Sequence, residues 1–122
     1  MHNINKLSFR LIGLIYLVYN RLQYGHKEKI YQQAFEQLLL KEKNCYYKEL
    51  YCPIKFEEKV VGRYYLDFLI DKKVVVELKV ADDIYPKHIK QVLNYLKARS
   101  IKLGLIFAVS KDSVKIKRLI NT

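Results

Sequence analysis

The sequence predicts an α/β fold in which a mixed sheet of four to five strands is flanked by helices. Three observations predict it. Two apolar segments of strand length, 60–70 and 74–80, are separated only by Asp71-Lys72-Lys73, which reads as an antiparallel hairpin. A helical pattern over 86–99 then leads into the continuous apolar run Leu103–Val109. Strand, helix and strand in succession imply a right-handed parallel crossover. Two further helical patterns precede the first strand and supply a covering layer.

Each element has its own signal. From about Lys6 to Leu22 the chain reads as a helix apolar on most of its circumference, and so expected to be sandwiched in the fold. Gly25 ends the connection, and a second helix spans about Lys27 to Lys43, with Tyr31, Ala34, Phe35 and Leu38 at i, i+3, i+4 and i+7. Glu28 lies on the same stripe as Tyr31, although an acid at a helix start ordinarily complements the macrodipole at the surface. Residues 45–56 alternate loosely and contain Pro53, which predicts an edge-like or broken strand, and Glu57-Glu58-Lys59 turns the chain into the hairpin. Pro86 is placed to open the third helix, which runs to about Arg99 with Ile89, Val92, Leu93 and Leu96 as its core face. His88, Gln91 and Tyr95 form a stripe beside that face. Leu103–Val109 suits a central strand covered on both sides. Val114–Ile120 alternates apolar with basic residues and reads as a short strand or a helical turn.

Composition narrows the class. A chain of 122 residues is expected to form a single domain, 1–122, with a core that needs no staples. Lys and Arg number 23 against 12 Asp and Glu, a net charge of +11 that favours polyanionic partners such as nucleic acid. Cys45 and Cys52 belong to no CxxC pair and read as free thiols, in keeping with a reducing, cytoplasmic setting. The apolar stretch Leu11–Tyr19 is bracketed by Arg10 and Arg21 and is about ten residues long, short of the roughly 20 that cross a bilayer, so no membrane partner is expected.

The hairpin carries the chemistry. Asp67 interrupts Tyr64–Ile70, and Glu77 with Lys79 interrupts Val74–Val80. Alternation puts Glu77 and Lys79 on one face with Val75, and Val76, Leu78 and Val80 on the other. If 71–73 is a three-residue loop, Ile70 pairs with Val74 and Asp67 falls opposite Glu77. Two carboxylates together in apolar surroundings repel and are costly to desolvate, which points to a divalent cation between them.

Four segments in order resemble the GxxExxY family of the PD-(D/E)XK nuclease superfamily. They are Gly25-His26-Lys27-Glu28-Lys29-Ile30-Tyr31, Gly62–Leu69 with its Asp67, the triplet Glu77-Leu78-Lys79, and His88–Leu96, which ends in Asn94-Tyr95-Leu96. The resemblance runs from about residue 7 to the end, with Leu66 where the superfamily's name has proline and Val80-Ala81 in place of Ala-Val. It implies a restriction-endonuclease-like core and a nuclease centre, and names no substrate. In that centre Asp67 and Glu77 would be the main ligands of Mg²⁺ or Mn²⁺, assisted by the Leu78 carbonyl, with Glu28 adding a ligand directly or through water. Lys79 would orient or help deprotonate the attacking water and stabilise the transition state. By analogy with related nucleases that carry a Gln-xxx-Tyr helix, Gln91 and Tyr95 would brace the site or hold the phosphate backbone. The expected activity is phosphodiester hydrolysis in nucleic acid, DNA ahead of RNA. The alternative is a non-catalytic nucleic-acid-binding or accessory subunit, and a homodimer or a partner protein would supply specificity in so short a chain.

Overall fold

The structure is a computed structural model and describes residues 3–122. The elements follow in the order α1 (Ile4–Leu22), α2 (Glu28–Lys41), β1 (Tyr46–Phe56), β2 (Lys59–Ile70), β3 (Val74–Val80), α3 (Pro86–Arg99), β4 (Leu103–Val109) and β5 (Val114–Ile120). The strands form one five-stranded sheet in the order β1-β2-β3-β4-β5. β3 and β4 are parallel and the other neighbours antiparallel, so the α/β mixed sheet expected from the sequence is present. The last segment, left between strand and helical turn by its pattern, is a strand antiparallel to β4.

Two core layers enclose the sheet. On one face α1 and α2 pack Leu11, Ile15, Tyr31, Phe35 and Leu39 against Phe68, Ile70, Val76, Leu78, Leu105 and Phe107. On the other, α3 packs Val92, Tyr95 and Leu96 against Leu66, Val75 and Ile106. β4 is buried along its whole length, as its unbroken apolar run requires. No helix among the described residues is long and apolar enough to cross a membrane.

The expectation that α1 is sandwiched is corrected. Leu11, Ile15 and Val18 face the sheet, but Phe9 is 81 % and Tyr16 43 % exposed, because only one helical layer covers this side and nothing lies outside it. The helix also starts earlier than its apolar pattern suggests. Asn3 is its N-cap, accepting from the Asn5 and Lys6 N–H groups at 2.9 and 3.2 Å.

β1 and β2 form a long ribbon that projects past β3. Ten residue pairs join β1 to β2, against three that join β2 to β3. Glu57 and Glu58 turn the ribbon in two residues with φ of 47° and 70°, the twist a tight hairpin demands. Pro53 lies on β1, the edge strand, where its missing N–H breaks no ladder beyond β1. The ribbon is moored where its inner face meets α3: the Tyr64 hydroxyl donates to the Gln91 carbonyl at 3.1 Å.

Gly104 sets the closeness of α3 to β4. A Cβ added there would lie 2.7 Å from Val92 Cγ1 and 3.3 Å from Leu96 Cδ1, both in the buried face of α3. Gly104→Ala is expected to lower unfolding free energy by about 1–3 kcal/mol through overpacking. Urea denaturation of the variant and the wild type measures it.

Candidate active site at the fork of the sheet

The ladder between β2 and β3 pairs Ile70 with Val74, Leu69 with Val75 and Phe68 with Val76, the register expected of a three-residue loop, and stops there. At the next step side chains take the place of the backbone bonds. The Asp67 N–H donates to Glu77 Oε1 at 3.0 Å, and the Leu78 N–H donates to Asp67 Oδ2 at 2.7 Å. Asp67 and Glu77 are therefore opposed as the register requires, but each carboxylate reaches across to the other strand's main chain.

The fork also reverses the faces of β2. Phe68 and Ile70 belong to the core under α1 and α2, whereas Leu66 belongs to the core under α3, so alternation slips at Asp67. β1 slips in step: Glu49, between the pairs Lys48–Phe68 and Leu50–Leu66, has a φ of 53°. The slip lets the Asp67 carboxylate reach α2 while Leu66 stays buried beneath α3.

α2 brings Glu28 to the same place, and the sequence around it explains how. Gly25 has a φ of +124°, a conformation open to glycine, and directs the chain into the helix. Tyr31, fully buried, donates its hydroxyl to the Gln23 carbonyl at 2.5 Å and accepts from the His26 N–H at 3.3 Å, which pins the connecting segment. Glu28, the first residue of α2, then accepts from the Val80 N–H of β3 at 3.0 Å. Its carboxylate is joined to the sheet rather than left as a surface complement to the helix dipole.

Gln32, one turn further along α2, was not singled out by the sequence. Its Nε2 lies 3.0 Å from Asp67 Oδ1 and 3.4 Å from both Glu28 Oε2 and the Leu78 carbonyl. Three oxygens thus converge on an amide nitrogen that has two hydrogens. The i, i+4 spacing from Glu28 was the one signal available, and it is shared by many solvated helix faces.

The electrostatics follow from burial. Glu77 is 2 % exposed. Burial first, and then the negative charge of Asp67, push its carboxyl up to about 8 despite the Lys79 ammonium 3.3 Å from Oε2. Burial also raises Asp67, against the hydrogen bond from Leu78. Burial alone would pull Lys79 down, but the charges of Glu77, Glu28 and Asp67 outweigh it and raise the ammonium. His88 is lowered by burial and then by the Lys79 and Lys87 charges, so its imidazole lies near the same ammonium.

Gln91 and Tyr95 are carried by α3, on the other side of the sheet from α2. Tyr95 is buried among the α3-side core residues with the Arg99 guanidinium 5.2 Å from its ring centroid, and the Gln91 main-chain carbonyl holds Tyr64. No hydrogen bond among the described residues joins either side chain to Asp67, Glu77, Lys79 or Glu28.

A small cleft opens over Asp67, walled by Lys29, Gln32 and Glu36 of α2 and by Lys48 and Glu49 of β1. A surface cavity of about 550 Å³ lies elsewhere, between the start of α1, the end of α2 and the β2–β3 turn, and none of the clustered acids lines it. An extended ligand lying across the surface does not need an enclosed cavity at the acids.

The donor set fits a hard cation. The oxygens that meet at Gln32 Nε2 come from two carboxylates and a main-chain carbonyl, ligand types suited to Mg²⁺ or Mn²⁺. Among the described residues no three His, Cys, Asp or Glu side chains form a ligand set by themselves, so the carbonyl and waters would have to take part.

In chelator, the raised Glu77 carboxyl makes stability fall with pH. Its charged form is disfavoured in the fold, so its contribution is intact below the ordinary value of 4.5 and is lost as pH rises toward about 8. Wild type is expected to lose melting temperature relative to Glu77→Gln across that interval. Parallel curves for the two proteins would contradict the assignment.

Comparison with known proteins agrees with this fold. The chain is similar to the solved structure titled "Crystal structure of SSO0001", at 22 % identity and a TM-score of 0.54. The match covers 76 % of this chain and 50 % of that one, so this chain matches half the length of that protein, and the likeness concerns the fold alone. No curated protein matches the sequence. The family model for the PD-(D/E)XK nuclease superfamily matches residues 5–119, nearly the whole chain, and the chain belongs to that superfamily.

Proposed function

We propose that this protein is a divalent-metal-dependent nuclease that hydrolyses phosphodiester bonds in nucleic acid, formed as one nuclease-like domain of the GxxExxY branch of the superfamily. The observation that carries the proposal is the convergence of Asp67, Glu28 and the Leu78 carbonyl on one point, with Lys79 beside Glu77. Members of the superfamily typically use divalent metals. When bound, the ion would neutralise charge on the scissile phosphate and make a water nucleophilic.

In this reading the protein's own groups have separate tasks. Asp67, Glu77, Glu28 and the Leu78 carbonyl hold the ion, with their second oxygens anchored on main-chain N–H groups that fix their orientation. Glu77, buried and already raised, would be favoured as a carboxylate by a dication that offsets its desolvation. Lys79, kept protonated by three acids, orients the attacking water and stabilises charge developing on phosphate oxygens. Gln32 holds the cluster together through its NH₂, and its amide oxygen would be one more donor of a type suited to the cation.

Gln91 and Tyr95 act from the α3 side by keeping the ribbon seated through Tyr64 and the α3 core, a positioning role. The basic surface, with its net charge of +11, attracts the phosphate backbone and makes binding strongly salt-dependent.

Cleavage of plasmid and of labelled oligonucleotides in Mg²⁺ or Mn²⁺ is expected to fall at least about a hundredfold in Asp67→Ala and Lys79→Ala. Equal rates for all three proteins would overturn the catalytic reading. Mn²⁺ is expected to raise the melting temperature of wild type but not of Asp67→Ala. Calorimetric titration of Mn²⁺ into Gln32→Ala is expected to show about tenfold weaker affinity. Unchanged affinity would remove Gln32 from the site.

A further inference from the structure

The ribbon formed by β1 and β2 carries two tyrosines that the fold does not use. Tyr51 and Tyr65 pair directly across the two strands, with ring centroids 5.9 Å apart, tilted at 56°. They are 46 % and 50 % exposed. The residues flanking each of them, Leu50, Cys52, Tyr64 and Leu66, all pack toward α3, so alternation sends both rings to the opposite face of the ribbon. That is the side on which α2 covers the sheet nearer β3; both rings are half-exposed there, and Tyr65 lies two residues along β2 from Asp67.

Arg63 shares their face, two residues before Tyr65 and opposite Pro53. It is exposed and makes no ion pair among the described residues, unlike Lys48, which is bound to Glu36 at 3.0 Å. Along β2, Tyr65 precedes Asp67 by two residues, about 7 Å, the rise of roughly two stacked nucleotides.

We propose that Tyr51 and Tyr65 form a stacking platform for unpaired bases, with Arg63 on the adjoining phosphate, and that the protein thereby takes single-stranded nucleic acid into its candidate active site. The inference rests on the nuclease reading and names its substrate class. An aromatic ring in solvent accepts the face of any unstacked base, whereas the bases of a duplex present their faces only to one another. Stacking is indifferent to base identity, so the platform grips a strand without reading sequence. A cross-strand tyrosine pair also steadies a ribbon, so the test must separate the rings' binding from their contribution to the fold.

Binding is measured by fluorescence anisotropy in Mg²⁺, in an Asp67→Asn background that cannot cleave. The probes are labelled oligothymidylate, oligouridylate and a DNA duplex of equal length. The Tyr51→Ala/Tyr65→Ala pair is expected to bind both single strands at least about tenfold more weakly. Its duplex affinity should be unchanged. Tyr51→Phe/Tyr65→Phe keeps the rings and is expected to bind as the background does. Arg63→Gln should weaken single-strand binding and flatten its salt dependence by about one phosphate contact.

Equal loss on single strand and duplex, or no loss on either, overturns the platform. So does sedimentation showing that the alanine pair turns a dimer into a monomer, since the rings would then serve a second copy of this chain. If ring-dependent binding holds while Asp67→Ala cleaves as fast as wild type, the nuclease reading fails and the platform stands.

Discussion

The exchange between Asp67 and Glu77 is the constraint on which the rest of this structure turns. Where a backbone ladder would continue, each acid instead accepts from the opposite strand's main chain. Strand pairing is given up at that point, and the loss is offset by two hydrogen bonds from main chain to carboxyl groups in a sheltered setting. The separation of the ribbon from β3, the slip of alternation on β2 and β1, and the space into which α2 lowers Glu28 and Gln32 all begin there. An uncharged pair at these two positions would let the ladder close.

The cluster is kept short of neutrality. Three acids surround one ammonium, and a glutamine amide sits where oxygens of Asp67, Glu28 and the Leu78 carbonyl meet. Val75, Val76 and Leu78 around Glu77 are fully buried, so this acid cannot swing into water to relieve the strain. A rigid frame around an under-compensated charge is the arrangement that favours an incoming cation over rearrangement.

Much of this could be read from residues alone. The three-residue loop after Ile70, the register it implies, and the partition of β3 into an acidic and an apolar face follow from period-two alternation, because β3 is regular. The interlocking at Asp67 could not be read, since alternation gives no warning of a slip that occurs in two strands together. Gln32 was missed because an amide on a helix has no pattern of its own and acquires meaning from groups 35 and 46 residues away. The apolar circumference of α1 suggested cover on every side, yet Phe9 and Tyr16 face outward, since hydrophobicity reports what can be buried and not what is present to bury it. The seating of Tyr95 in the core likewise depends on where α3 rests, and the close approach at Gly104 sets that.

The sheet's spatial order repeats its order along the chain. Every strand therefore finds its neighbour by a short closure, and a sheet of this kind can assemble quickly from its own hairpins and its one crossover. The amino-terminal helices are different. Glu28 meets Val80 across 52 residues, so the acidic cluster spans the seam between that helical pair and the sheet. An ion held there would act as a latch between two parts of the chain that no hairpin turn joins.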